Sequence, residues 1–386
     1  MSIKIILMKI IVLGAGLVGA PMAIDLAKDG EFEVTVVDIC RRTLDGLNNT
    51  PGIRTLQADL SDAVKVDEVI KDHDIVLSAV PGHMGFDTLR TIIEAGKNVI
   101  DIAFFPENLF DLNDLALKNN VIAISDIGVA PGMSNVLIGH VHEMLDKTCN
   151  VITYVGGLPK IRTWPWEYKA VFSPIDVIEE YTRPARFIRD GKMVVMPALS
   201  DPELLEFEDI GTLEAFNSDG LRSLAETIEA PNMIEKTLRY QGHIEKIAIL
   251  RDLGLFNKET IEVKGQQISP LDLTTKLLFP KWQLQPGEED ITVMQVIVEG
   301  KKEGRNLRYT YDLFDEYDRE TGTHSMARTT GYTATMALRM VAKGLYTRKG
   351  VSAPEFIGRQ KECVEFMLEG LAERGIVYRE SVDDIR

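Results

Sequence analysis

Residues 9–30, KIIVLGAGLVGAPMAIDLAKDG, pass from a short apolar strand through three glycines into a helical pattern that Gly30 ends. Gly14, Gly16 and Gly19 keep the G-x-G-x-x-G spacing, and they stand after a strand and at the mouth of a helix, the context in which that spacing binds a dinucleotide. Gly14 permits the tight turn, Gly16 lets a pyrophosphate approach the backbone, and Gly19 lets helix and strand pack closely. Leu17 and Val18 complete the loop. The helix start behind it offers unbonded N–H groups and the positive end of a dipole to phosphate. The other reading of these residues is a glycine-rich turn that holds no ligand.

Outward from this stretch, apolar runs at 9–13, 33–38, 53–59, 74–80, 98–103 and 121–126 alternate with helical segments such as 19–30 and 83–97. Continuous Val/Ile/Leu strands separated by helices predict a parallel sheet covered on both faces, a doubly wound α/β domain of the Rossmann kind. Asp38 ends the second strand 19 residues beyond Gly19, where a carboxylate bonds the adenosine ribose hydroxyls. That predicts NAD, with NADP less favoured because its 2′-phosphate would meet like charge. Arg41 and Arg42 pull the other way, either reaching such a phosphate or simply starting a solvated helix. Asp59 closes the third strand, to meet the adenine edge or to cap the next helix. Ala79, Val80 and Pro81 leave the fourth strand where the nicotinamide half is expected.

The chain has 386 residues, 45% of them apolar and 26% charged, which allows two or three domains with substantial cores. Its 43 Lys+Arg against 59 Asp+Glu give a net charge of −16, which argues against a nucleic-acid surface because phosphate recognition needs excess cations. The excess divides evenly, −8 in residues 1–135 and −8 in 136–386, so it serves solubility and attracts cationic small molecules mildly. Cys40, Cys149 and Cys363 have neither metal-binding nor redox spacing. A reducing, cytoplasmic setting and no metal are expected. Lys9 interrupts the apolar opening, which is too short for a bilayer and lacks a cleavage site, so no membrane partner is expected. Met8 is an alternative start, with the first seven residues an extension.

Beyond about Gly139 the pattern changes. Residues 151–159, 185–197 and 291–317 read as antiparallel strands, the last pair around GKKEG, with helices at 231–238 (PNMIEKTL), 242–254 and 270–279. This predicts a second, α+β domain on a largely antiparallel sheet. From about Thr329 the chain is helical again, with apolar residues at i, i+3 and i+4 in 331–346 and 362–375.

The blocks SDIGVAPGMSNVLIGH (125–140), YVGGLP (154–159), FSPIDVIEEYTRPARFIRDGK (172–192), SDGLRSLAETI (218–228), TLRYQGHIEKIAILRDLGL (237–255) and MARTTGYTATM (326–336) resemble the glutamate-forming, reductase-type saccharopine dehydrogenase family. Within it they are most similar to the NAD-dependent L-lysine 6-dehydrogenase branch. The resemblance implies hydride loss from the ε-carbon of L-lysine, release of ammonia, and a homodimer. It also implies that the C-terminal helices return to the first domain, giving a Rossmann domain of 1–135 plus about 325–386 and a substrate and dimerisation domain of 136–324. Region 200–290 is short for the helical insertion of saccharopine reductases, which favours the smaller substrate. Saccharopine reductase or carboxynorspermidine dehydrogenase chemistry is the alternative within the family, and a catalytically silent NAD(H)-binding sensor the alternative outside it.

Oxidising an amine requires its neutral form, hence a base near the nitrogen, and an α-carboxylate calls for arginine. Asp126, at the carboxyl end of the sixth strand, is expected to contact the amine or to orient its loop; its other reading is a helix cap. Asp101 is a second strand-end carboxylate, and His243 an acid/base candidate or a helix-start group. Arg222 and Arg328 are candidates for the carboxylate, with Tyr181 also in the substrate set and Lys169 and His83 weaker. Gly132 and Asn135 either face the nicotinamide carboxamide or build a turn. His140 and His142 are two apart on a helix and make a poor metal pair. Trp164, Trp166 and Trp282 read as packing anchors or interface residues.

Overall fold

The structure, a computed structural model, describes residues 7–208 and 210–385. The expectation of an N-terminal extension falls mostly on residues 1–6, outside those described. Contacts divide the chain into two units: Met1–His140 with Ala327–Ile376, and Val141–Met326 with the segment from Val377.

The first half follows the expected alternation: β1 (Met8–Leu13), α1 (Gly19–Lys28), β2 (Phe32–Asp38), α2 (Arg41–Leu47), β3 (Ile53–Gln57), α3 (Ala63–Ile70), β4 (Ile75–Ser78), α4 (Gly82–Glu94), β5 (Asn98–Asp101), α5 (Asn113–Lys118), β6 (Ile122–Ile124) and α6 (Met133–Met144). β1 lies between β2 and β4 with parallel partners on both sides. Its Ile10, Ile11, Val12 and Leu13 are therefore all buried, and this is why the strand reads as an unbroken apolar run. On α1, Met22, Ala23 and Leu26 recur at helical spacing and are buried, each large side chain worth about 1.5–3 kcal/mol of burial. Gly30, at φ +65°, turns the chain out of this helix.

The middle of the chain supplies β7 (Lys147–Pro159), α7 (Pro174–Thr182), β8 (Ala185–Arg189), β9 (Lys192–Met196), β10 (Glu203–Phe207), β11 (Gly211–Asn217), α8 (Leu224–Thr227), β12 (Asn232–Tyr240), α9 (His243–Asp252), β13 (Ile261–Val263), β14 (Gln266–Ile268), α10 (Pro270–Trp282), β15 (Asp290–Lys302) and β16 (Arg305–Glu316). The end supplies α11 (Ser325–Ala342), β17 (Gly350–Ser352), α12 (Pro354–Gly358), α13 (Lys361–Ala372) and β18 (Tyr378–Asp384).

Seven parallel strands form the first sheet in the order β17-β6-β5-β4-β1-β2-β3. α11 and the turn that follows α13 are fastened to α1 through buried Asp25, which accepts hydrogen bonds from Thr335 Oγ1 at 2.6 Å and Arg374 Nε at 2.7 Å. The second sheet runs β10-β11-β12-β7-β15-β16-β18, with β8 pairing β12 off this path and β9 pairing β8. It is antiparallel except between β12 and β7. Across four of its strands, Asn232 donates to Asn150, Asn150 to Glu299, and Arg308 to Glu299, all within 2.7–2.9 Å.

Two expectations need correcting. PNMIEKTL is not a helix but most of β12, held between β11 and β7; the demands of a central strand override the helix-forming Met, Glu, Lys and Leu. The last strand, β18, pairs with β16 in the second sheet, so it does not belong with the Rossmann unit. Among the described residues no helix is long and apolar enough to cross a membrane.

Candidate functional site

The glycine loop is built by contacts that exclude side chains. A Cβ on Gly14 would lie 2.6 Å from the Ala79 carbonyl oxygen, and one on Gly19 would lie 2.1 Å from the Gly14 oxygen. At Gly16 no protein atom would come within 4 Å. The first two glycines therefore serve packing, while the third leaves open the space that an approaching pyrophosphate uses, and the residues present fit a dinucleotide. Leu17 stands exposed on this loop, Val18 precedes α1, and Ala79, Val80 and Pro81 carry the chain from β4 into α4. Asp38 ties the loop down: its two oxygens accept from the amides of Ala15 and Cys40, both at 2.7 Å. Arg41 is paired with Asp45 at 3.0 Å on the exposed face of α2. Asp59 turns its carboxylate to Ser61, whose hydroxyl donates to it at 2.7 Å, while the next helix is capped by Asp62.

At the carboxyl ends of β4, β5 and β6 stand Ser78, Asp101 and Ser125, all fully buried. Ser125 Oγ donates to Asp101 at 3.0 Å. Asp101 sits opposite Ser78 across the β4–β5 pair. Burial pushes the Asp101 carboxyl up to about 7, offset in part by the Ser78 and Ser125 hydroxyls and reinforced by the nearby negative charge of Asp126. Asp126 itself is 2% exposed and left-handed at φ +59°. The next amide, that of Ile127, donates to the Asp101 carbonyl at 3.2 Å. Neither Ser78 nor Ser125 was singled out from sequence. The signal was nonetheless there, since three successive apolar runs end in Ser, Asp and Ser.

Other expected site residues are engaged elsewhere. Gly132 builds the turn before α6, because its Cβ would lie 1.9 Å from the Gly128 oxygen. Asn135 is buried against Glu355 at 3.3 Å and Ser134 at 3.0 Å, so it braces the fold rather than facing a nicotinamide. Arg328 donates to the Arg374 carbonyl at 2.7 Å, beyond the end of α13, which makes it a brace within the first unit rather than a carboxylate clamp. His83 lies exposed at the start of α4.

In the second unit His243 is fully buried, with Nδ1 2.7 Å from the Trp166 carbonyl and Nε2 3.0 Å from the Tyr181 hydroxyl. Burial, with the Arg239 charge beside it, lowers its pKa to about 3. Both nitrogens are occupied and the ring stays neutral, so the acid/base expectation for His243 is withdrawn. Tyr181 is likewise buried, accepting from Arg239 Nε at 3.0 Å, and is not a substrate contact. Arg239 donates to Glu180 at 2.6 Å and lies 4.6 Å from the Tyr168 ring. This network belongs to a core in which Trp282 is fully buried, whereas Trp164 is exposed. Sequence reading missed Glu235, buried on β12 and bonded to Ser218 at 2.8 Å, whose carboxyl burial pushes up to about 7. Lys169 faces Glu288 and the Gln283 carbonyl, each at 3.3 Å. Arg222 adopts a left-handed turn at φ +50°, and its charge lowers the pKa of the half-buried Arg183 guanidinium, adding to the larger effect of burial.

Comparison with known proteins covers both units. Residues 10–124 match the saccharopine dehydrogenase NADP binding domain and 128–376 the saccharopine dehydrogenase C-terminal domain. The chain is 25% identical to saccharopine dehydrogenase [NADP(+), L-glutamate-forming] of Schizosaccharomyces pombe over 97% of its own length and 99% of that protein. It is 21% identical to carboxyaminopropylagmatine dehydrogenase of a Synechocystis species over 97% of itself and 98% of the relative. The apo structure of L-Glu-forming saccharopine dehydrogenase from Saccharomyces cerevisiae shares the fold, with a TM-score of 0.79 at 21% identity, covering 97% of this chain and 100% of that one. A doubly wound dinucleotide unit followed by a mixed-sheet unit, each matched by its own domain description, makes this chain a member of the saccharopine dehydrogenase family, oxidoreductases acting on CH–NH groups.

Proposed function

We propose that the protein oxidises the terminal amine of L-lysine with NAD, as an L-lysine 6-dehydrogenase. The observation that carries this reading is the acid Asp126, which follows the last strand of the dinucleotide core, β6, in a left-handed turn, where open α/β sheets place their ligand crevice. The family relatives are named for saccharopine and for carboxyaminopropylagmatine, so membership leaves the amine open. A negatively charged strand end suits a substrate whose reacting end is a primary ammonium.

In this reading Gly14, Gly16, Gly19, Leu17, Val18 and Asp38 hold the dinucleotide, with Ala79, Val80 and Pro81 beside its nicotinamide half. Bound nicotinamide supplies the acceptor for a hydride. Asp126 takes the ammonium proton, which frees the nitrogen lone pair. The ε C–H bond then breaks with its electron pair leaving as hydride, and the C–N bond becomes double. Water adds, ammonia leaves, and the aldehyde closes on the α-amine. NAD is preferred over NADP because the pinned Asp38 carboxylate repels a 2′-phosphate, and Arg41 is already engaged by Asp45.

Purified protein is incubated with NAD or NADP and a panel of amines while reduced cofactor is followed. Lysine turnover with NAD preferred at least about tenfold in kcat/KM supports the reading. A second reading, oxidation of a secondary amine, draws on the S. pombe match; turnover of saccharopine and not lysine would establish it. Cofactor binding with no amine oxidised would mark a silent NAD(H)-binding protein. Light scattering checks the homodimer that belongs to the same proposal.

A further inference from the structure

Asp101 differs from an ordinary surface carboxylate in one respect: its carboxyl group is fully buried. Among the described residues, the groups that act most strongly on its carboxyl include no cation. β4 presents the Ser78 hydroxyl, β6 presents Ser125, the exit of β5 presents the Ala103 amide, and the charged group facing it is Asp126. Ser125 donates to one carboxyl oxygen at 3.0 Å. The other oxygen and Ser78 Oγ are buried and close no well-formed hydrogen bond with any described group. Two neutral hydroxyls and one amide do not compensate a carboxylate taken out of water beside a second acid. A carboxylic acid needs only what is present: one donor, Ser125, and one acceptor, Ser78.

We propose that Asp101 is a positioning residue kept as a neutral acid between Ser78 and Ser125 at the ends of β4 and β6, so that it adds no second negative charge beside Asp126. Its backbone acts too, because the Asp101 carbonyl accepts from Ile127, the residue after Asp126. With Asp126 held in a left-handed conformation, the segment needs such an anchor. Loss of the proton from Asp101 would set two negative charges side by side and loosen the same segment. The assignment of a task to Asp126 rests on the amine-oxidation reading; the protonation of Asp101 does not.

Two measurements on the full chain test this. The infrared difference spectrum of wild type minus Asp101→Asn, recorded without substrate, should show a neutral carboxylic acid band that disappears as pH is raised through neutrality. Kinetics then compare wild type with Asp101→Asn and Asp101→Ala, each checked for its fold by circular dichroism. Asp101→Asn, which keeps shape and neutrality, should hold kcat within about threefold and lose an inflection near neutral pH that the wild type shows in kcat/KM for the amine. Asp101→Ala should lose about tenfold or more in kcat/KM. An absent acid band, an inactive but folded Asp101→Asn, or identical pH profiles for wild type and Asp101→Asn would each overturn the proposal. If the wild type turns over no amine, the amine reading fails while the infrared band still decides the state of Asp101.

Discussion

Asp101 in the first unit and Arg239 in the second are both buried on strands of large sheets, and they meet burial in opposite ways. Arg239 is surrounded by Glu180, the Tyr181 hydroxyl and the Tyr168 ring, so its charge is matched and permanent. Asp101 has hydroxyls for company and titrates near neutrality. A matched buried charge is scaffold, because changing its ionisation would cost more than the fold can spare. An unmatched one is poised between two states, and its protonation responds to its neighbours and to pH. His243 belongs with Arg239 in this respect, which is why a histidine that looked reactive from sequence turns out to be a core group.

The comparison is broken most directly at Arg239. Arg239→Ala strands Glu180 without its cation and removes a donor from Tyr181, and should lower unfolding free energy by about 3–5 kcal/mol in denaturant titration. A loss below about 1 kcal/mol would mean that the pairing is not structural.

In the first unit the glycines give the next effect. Gly19→Ala forces a methyl onto the Gly14 carbonyl and should weaken dinucleotide binding about 100-fold by calorimetry, together with a fall in Tm. Gly16→Ala meets no protein atom, so it should leave Tm unchanged and reduce affinity alone, by roughly tenfold. Equal effects of both variants on Tm would remove the distinction between packing and ligand-facing glycines.

The pH dependence of stability separates the two kinds of group. The carboxyls of Asp101 and Glu235 are raised in the fold, from 3.8 and 4.5 to about 7. The folded state thus binds more protons than the unfolded one, and their contribution is lost as pH rises through that window. His243 is lowered from 6.5 to about 3, so the unfolded state binds the extra proton and stability is lost as pH falls through that range. Glu235→Gln should therefore flatten the decline towards neutral pH, and His243→Phe the decline towards acid, in thermal unfolding at stepped pH. Asp38→Asn should shift the NAD to NADP ratio of kcat/KM by about tenfold towards NADP. The smallest effect is expected at Arg305–Asp384, an ion pair with both side chains more than 60% exposed. Arg305→Ala should leave the midpoint of denaturant unfolding unchanged.

What could be read from sequence follows the same division. The glycine loop, Asp38 and the strands of the first sheet are local patterns, legible because a parallel strand buried on both faces has to be apolar throughout. Asn135 meets Glu355 220 positions away, and Tyr181 meets His243 62 positions away; nothing near these residues in sequence announces the partner. β12 was misread because its residues favour a helix in isolation and are recruited to a strand by β11 and β7. Ser78 and Ser125 were visible as strand-end hydroxyls but gained meaning only once β4, β5 and β6 lay side by side.

The strand order also sets a timetable for synthesis. β6, complete at Ile124, receives its outer neighbour only when β17 appears at Gly350. β7, finished by Pro159, must wait for β12 and β15 on its two sides. On the ribosome both sheets therefore remain with open edges while most of the chain emerges, and neither unit can close early. Such long-range pairing is slow. A nascent chain of this protein should be most vulnerable to proteases and aggregation until its last forty residues are out, a period in which a dinucleotide cradle already formed by the first hundred residues offers a ligand the chance to act as a folding aid.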